Sequence, residues 1–133
     1  MPFDYVHDVR LDDVDRFDIV FYPRVFVWVQ RASEALFEAG GTPYQVLCRE
    51  TGHRFPIVAT DATYARPIEW GDAVTMAVTP SLGRTSFTLE TLGRVAGEAA
   101  FEVSRTQVAV DEDTGEKAPL PDEVRSTLEP FAA

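Results

Sequence analysis

The chain has 133 residues, 45% of them hydrophobic, one cysteine, and a formal charge of −10 from 22 acidic and 12 basic side chains. That length fits one domain with a core of its own, and the lone Cys48 excludes a disulfide framework or a multi-cysteine zinc ribbon. The acidity argues against a nucleic-acid partner, because phosphate neutralisation needs clustered Lys and Arg.

The charge is uneven. Residues 1–18 carry −4, residues 19–110 only −1, and residues 111–133 carry −5. All the bases but Lys117 are arginines, whose planar forks suit phosphate. The stretch Met1 to Asp18 is polar and acidic, unlike a signal peptide. No apolar run approaches the roughly 20 residues of a membrane helix. A cytoplasmic protein with no membrane partner is expected.

In chain order, Phe3, Tyr5, His7, Val9 and Leu11 alternate with polar residues, which predicts a half-buried strand. The acidic connector Asp12 to Asp18 follows. Pro23 suits the first turn of a helix, where its missing N–H costs nothing. Val25, Trp28, Val29, Ala32, Ala35, Leu36 and Ala39 then recur at helical spacing, and Gly40-Gly41 is a C-terminal stop. Phe26, Val27 and Phe37 widen this apolar surface, so the helix should be enclosed by the rest of its domain.

Residues 42–54 read as a connector. Four strands are then predicted at about 55–64, 72–79, 85–92 and 99–110, with turns at Pro80 to Gly83 and Gly93 to Gly97. Asp111 to Gly115 is an acidic turn, and Pro121-Asp122-Glu123 opens a short helix with Val124 and Leu128. Successive strands with short turns pair antiparallel. The order is α+β, and the economical architecture is one domain over 1–133, a curved antiparallel sheet wrapped around the long helix, with an acidic C-terminal tail over about 111–133.

Few residues can carry chemistry. His7, His53 and Cys48 have no zinc-site spacing, so no metal is expected, and His7 reads as a buried, satisfied core histidine. Asp13 to Arg24 lacks the Gly and Glu of a calcium loop. No Gly-x-Ser-x-Gly elbow occurs, and Cys48 reads as an ordinary thiol. Asp12 and Asp13 are compatible with a solvated turn. One constellation remains, a carboxylate connector running into the start of a buried helix. The first helical amides lack intrahelical acceptors and can hold a developing oxyanion. A carboxylate just before them can act as nucleophile or general base. Pro23 has no N–H, so Tyr22 is the nearest upstream backbone donor.

The segment Asp13-Val14-Asp15-Arg16-Phe17-Asp18-Ile19-Val20-Phe21-Tyr22-Pro23 resembles the motif leading into the helix of hotdog-fold acyl-CoA thioesterases of the 4-hydroxybenzoyl-CoA thioesterase-like family. That motif reads roughly Asp-x-Asp-Pro-Ala-Gly-Ile-Val-x-Tyr-Pro. Pro56-Ile57-Val58, Ala65-Arg66-Pro67, Gly71-Asp72 and Arg84-Thr85-Ser86-Phe87 extend the likeness over most of residues 5–110. The resemblance implies a five-stranded hotdog sheet and a homodimer or homotetramer with sites at the subunit interface. It implies an acyl- or aryl-CoA substrate and no separate cofactor, since coenzyme A arrives as part of the thioester. It assigns Asp15 as the catalytic carboxylate and the Tyr22 backbone amide as oxyanion donor.

Gln30 aligns with an acid of hydroxybenzoyl-selective members, which speaks against that substrate here. Arg84, with Ser86 beside it, is the expected contact for CoA phosphates. Asp18 replaces the motif's glycine; it narrows the site, supplies a second carboxylate, or alters activity. Rival readings are a hotdog enoyl-CoA or acyl-carrier-protein hydratase, which needs a histidine at the site, and a non-catalytic acyl-CoA-binding module.

Overall fold

The structure, a computed structural model, describes residues 1–133. Strand β1 (Phe3–Asp8) leads through a 3-10 turn (Leu11–Asp13) and the connector to helix α1 (Arg24–Ala39). Helix α2 (Tyr44–Thr51), β2 (His53–Arg54), β3 (Ile57–Tyr64), β4 (Ala73–Leu82), β5 (Ser86–Val95), β6 (Glu98–Val108), β7 (Val110–Asp111) and α3 (Asp122–Leu128) follow. The five long strands form one antiparallel sheet in the order β1-β4-β5-β6-β3. The predicted α+β architecture is present, a five-stranded hotdog sheet around α1.

Alternation decides the inner face. Val74, Met76 and Val78 of β4, Phe87 and Leu89 of β5, and Phe101 and Val103 of β6 are buried against Val25, Trp28, Val29, Ala32 and Leu36 of α1. Removing any such aromatic would cost ~3–5 kcal/mol from lost burial plus the cavity left behind. Gly93 lies opposite Phe101, whose ring packs onto the glycine Cα where a side chain would project.

Several sequence expectations are corrected. Leu11 is not in β1; the strand ends at Asp8, and Leu11 is exposed in the 3-10 turn. The connector 42–54 contains α2, which starts after Pro43 and stops at Gly52, whose φ of +65° is the left-handed region that suits glycine. The Pro80–Gly83 turn begins later, because β4 runs to Leu82. Pro80 is tolerated there since β1 covers β4 only as far as Val78, leaving no ladder on that side to break. The acidic C-terminal segment carries the short helix expected at Asp122, and that helix is docked on the core. Leu120, Val124 and Leu128 are buried in the core, and Phe131 meets Phe3 edge-on at 5.7 Å.

Helix α1 is not enclosed on every side. Phe26 is 38% exposed, and the edge strand β3 has no neighbour on its outer flank. Seven of the eight β3 residues are exposed. Phe17, Phe21, Tyr22, Ile57, Val58, Tyr64 and Trp70 add large exposed apolar side chains.

Candidate active site

The connector folds into a narrow hairpin. Val14 pairs with Val20, the Asp15 N–H donates to Ile19 O at 2.9 Å, and the Phe21 N–H donates to Asp13 O at 2.9 Å. Its tip is Arg16-Phe17-Asp18, closed by the Asp18 N–H donating to Asp15 O at 3.0 Å. Asp18 has a φ of +61°, so it occupies the left-handed conformation that glycine adopts without strain and that Asp tolerates better than most residues. The far strand of the hairpin is tied to the segment before β4 by Val20 N–H to Ile68 O at 2.8 Å and Trp70 N–H to Asp18 O at 3.0 Å.

Asp13 anchors this hairpin from below. It is 1% exposed, and its carboxylate accepts four hydrogen bonds. Oδ2 takes the Arg10 N–H at 2.9 Å and His7 Nε2 at 2.8 Å; Oδ1 takes Arg24 Nε at 3.0 Å and Trp28 Nε1 at 3.1 Å. Burial alone would push this carboxyl up. The Arg10 N–H and the His7, Trp28 and Arg24 side chains overcome burial and hold it well below the usual carboxylate range. Asp13 is therefore no solvated turn residue. It joins β1, the connector and α1, and His7 is the satisfied core histidine expected, stacked on Trp28 at 4.6 Å between ring centroids. Asp12, in contrast, is exposed, 3.7 Å from Arg24.

Asp15 sits above this anchor, exposed, with Oδ1 accepting the Phe17 N–H at 2.8 Å and Oδ2 without a protein partner. Beyond the Asp13–Phe21 rung, the Tyr22 N–H has no backbone or side-chain acceptor, while its neighbours Phe21, Arg24 and Val25 all donate. Tyr22 also lines an apolar hollow of about 380 Å³ with Ile19, Val25, Tyr64 and Pro67. The structure thus brings Asp15, Asp18 and Tyr22 onto one hairpin at one end of the sheet. Gln30 lies eight residues along, about 12 Å at the helical rise.

Arg84 and Ser86 lie elsewhere. Arg84 is exposed in the β4–β5 turn, and its carbonyl accepts the Leu120 N–H at 2.9 Å. Ser86 is seven residues along β5 from Gly93, whose row holds Phe101 and Tyr64, or ~23 Å at the strand rise. Within one chain they do not meet the hairpin. The sequence reading also passed over Arg105, which lies on the inner face of β6. Its signal was present, since a cation at an inward position of an alternating strand is anomalous. No group of three or more His, Cys, Asp or Glu gathers to hold a metal, and no helix is long and apolar enough to cross a membrane.

The sequence profile of the Thioesterase-like superfamily matches residues 9–128, which spans the hairpin, the helix and the whole sheet except β1. The chain belongs to this superfamily. Among curated proteins it resembles a 1,4-dihydroxy-2-naphthoyl-CoA hydrolase of Rippkaea orientalis, 26% identical over 129 residues and covering 94% of each chain. A protein of the same name from Nostoc punctiforme is 27% identical, covering 97% of this chain and 88% of the other. A gentisyl-coenzyme A thioesterase of known structure superposes with a TM-score of 0.81 at 25% identity, covering 94% of this chain and 98% of the other. A 1,4-dihydroxy-2-naphthoyl-CoA thioesterase from Synechocystis shares the fold at a TM-score of 0.88 and 19% identity, with 96% of each chain covered.

Proposed function

We propose that this superfamily member hydrolyses an aryl- or acyl-coenzyme A thioester to the free acid and coenzyme A. The observation that carries the reading is the unpaired Tyr22 N–H at the start of α1, on the same hairpin as the open Oδ2 of Asp15. An N–H with no ground-state acceptor is ready for a charge that develops only as the carbonyl is attacked. Asp15 then either attacks the thioester carbon, forming an acyl-aspartyl anhydride that water opens, or takes the proton of an attacking water. In both cases the carbon–sulfur bond breaks and the thiolate departs with little need of acid assistance. The names of the relatives favour an aromatic acyl group.

The hydratase reading has less support, because neither histidine is free at the site. His7 is bound to buried Asp13, and His53 Nδ1 lies 2.6 Å from Thr51 O, at the opposite end of β3 from the hairpin. The exposed apolar flank of β3 supports a homodimer built by pairing two β3 edges. Such pairing is antiparallel by two-fold symmetry. It carries the Ile57 end of one copy toward the hairpin of the other, which gives Arg84 and Ser86 of a second chain a route to the coenzyme.

The test is thiol release from a panel of aromatic and aliphatic acyl-CoAs. Asp15→Asn should lower kcat on the best substrate at least about 100-fold, the scale of a lost base or nucleophile, with an unchanged melting temperature because Asp15 is exposed. Equal rates for the variant and the wild type would remove Asp15 from the mechanism.

A further inference from the structure

A second cavity, about 240 Å³, opens between α1, α2 and the Ile57 end of β3. Phe37, Tyr44 and Phe55 give it aromatic walls, Gln30, Ser33 and Glu34 of α1 a polar side, and Arg105 and Gln107 of β6 line it from the sheet. Arg105 is 7% exposed. Nη1 donates to Gln30 Oε1 and Nη2 to Ser33 Oγ, both at 2.8 Å, while Nε is buried without an acceptor. Gln107 spends its Nε2 on Phe55 O at 2.7 Å, leaving Oε1 unpaired.

The contrast with the other paired arginines is informative. Arg24 has Asp13 and Arg66 has Glu98, but no carboxylate lies within ion-pair distance of Arg105. Burial pulls its guanidinium below the ordinary range, with partial relief from Tyr44 and the more distant Glu34. A buried cation held only by two neutral acceptors is a costly arrangement for structure alone. Gln30 is exposed at the mouth, and its side chain can swing out and free Nη1.

The dimensions suit a ring. An apolar cavity of about 150 Å³ already holds benzene, so this one takes a single aromatic ring with a polar substituent. The two hollows share no lining residue within one chain, and the β3-edge pairing proposed above sets the Ile57 end of one copy, with this cavity, toward the hairpin of the other. A guanidinium matches a carboxylate best, fork to fork.

We propose that this cavity receives the far end of the acyl group, and that Arg105 makes the site selective for a ring bearing a second carboxylate. The substrate class is the coenzyme A monothioester of a small aromatic dicarboxylic acid. The proposal rests on the thioesterase reading for the thioester, but not for recognition of the acid itself.

Two measurements test it. First, kcat/KM is compared for 4-carboxybenzoyl-CoA, 4-hydroxybenzoyl-CoA and benzoyl-CoA. The carboxylated substrate should be preferred by about 10- to 100-fold, the scale of one charge-assisted hydrogen bond. Arg105→Met should collapse that ratio toward 1, and Arg105→Lys should retain part of it. Second, calorimetric titration of the wild-type protein with 4-carbamoylbenzoate, 4-hydroxybenzamide and benzamide, in which a neutral amide stands in for the thioester and only the first carries a carboxylate, needs neither turnover nor a folded variant. 4-Carbamoylbenzoate should bind at least about tenfold more tightly than benzamide. Equal binding of all three, a preference for 4-hydroxybenzamide, or an unchanged ratio in a folded Arg105→Met would overturn the assignment. Selective 4-carbamoylbenzoate binding without hydrolysis of any thioester would refute the thioesterase reading and leave the pocket assignment standing.

Discussion

Replacing Asp13 by asparagine keeps the side chain's size and removes one of its two acceptor oxygens. Four donors converge on the carboxylate, two on each oxygen. The asparagine carbonyl can serve Arg24 and Trp28, but its NH₂ then faces His7 and the Arg10 N–H. His7 can present an unprotonated nitrogen; the Arg10 N–H cannot, and stays unpaired at a cost of about 1–3 kcal/mol. The bond from Arg24 also loses its ionic character, roughly 1 kcal/mol more. The expected loss is about 3 kcal/mol, and at ~1.5 kcal/mol per molar urea the unfolding midpoint should fall by about 2 M.

The pH dependence has a definite sign. The folded-state carboxyl of Asp13 titrates well below its ordinary value of 3.8. Its contribution is therefore complete above that value and disappears as pH falls through the folded-state range. The gap between wild type and Asp13→Asn should be widest near neutrality and should narrow from about pH 4 downward, as the ordinary carboxylate range is crossed. A midpoint shift below about 0.5 M at pH 7, against the ~2 M expected from the lost bonds, or a gap that widens on acidification, would refute the account of the anchor.

Three further outcomes are expected. At Asp18, with its φ of +61°, Gly and Asn should hold or raise the melting temperature while Ala lowers stability by ~1 kcal/mol; Ala as the most stable of the three would contradict a backbone constraint. Gly93→Ala drives a methyl into the Phe101 ring and should cost ~1–3 kcal/mol in chemical denaturation, with part of the loss recovered when Phe101→Leu is added. Val58→Lys places a charge on the bare β3 edge, where Val58 is 59% exposed. Sedimentation should show a smaller species than the wild type; identical oligomeric states would remove the β3 edge as the contact.

The fold was legible because it rests on local periodicity. Period two in β1 and β4–β6, period 3.6 over Val25 to Leu36, and short turns between the later strands leave few arrangements that bury both patterns. Helix α2 was missed although Tyr44, Leu47, Cys48 and Thr51 keep helical spacing, because Pro43 and Gly52 bracket a segment barely two turns long. Candidate chemistry was legible wherever it lay on one continuous stretch. Asp15 and the Tyr22 amide are seven residues apart, and the hairpin rungs at Val14–Val20 and Asp13–Phe21 are local.

By itself, then, the sequence determined the layers, the long helix and the carboxylate-before-helix motif, all set by neighbours along the chain. Tertiary structure alone decided which of two nearby aspartates is buried. Asp13 and Asp15 are alike as letters, but the hairpin turns one toward His7, Arg24 and Trp28 and leaves the other open. It also decided that Arg105 meets Gln30 and Ser33, residues more than 70 positions away. Such pairings depend on strand register and on how the helix crosses the sheet, and no periodicity within a single element encodes them.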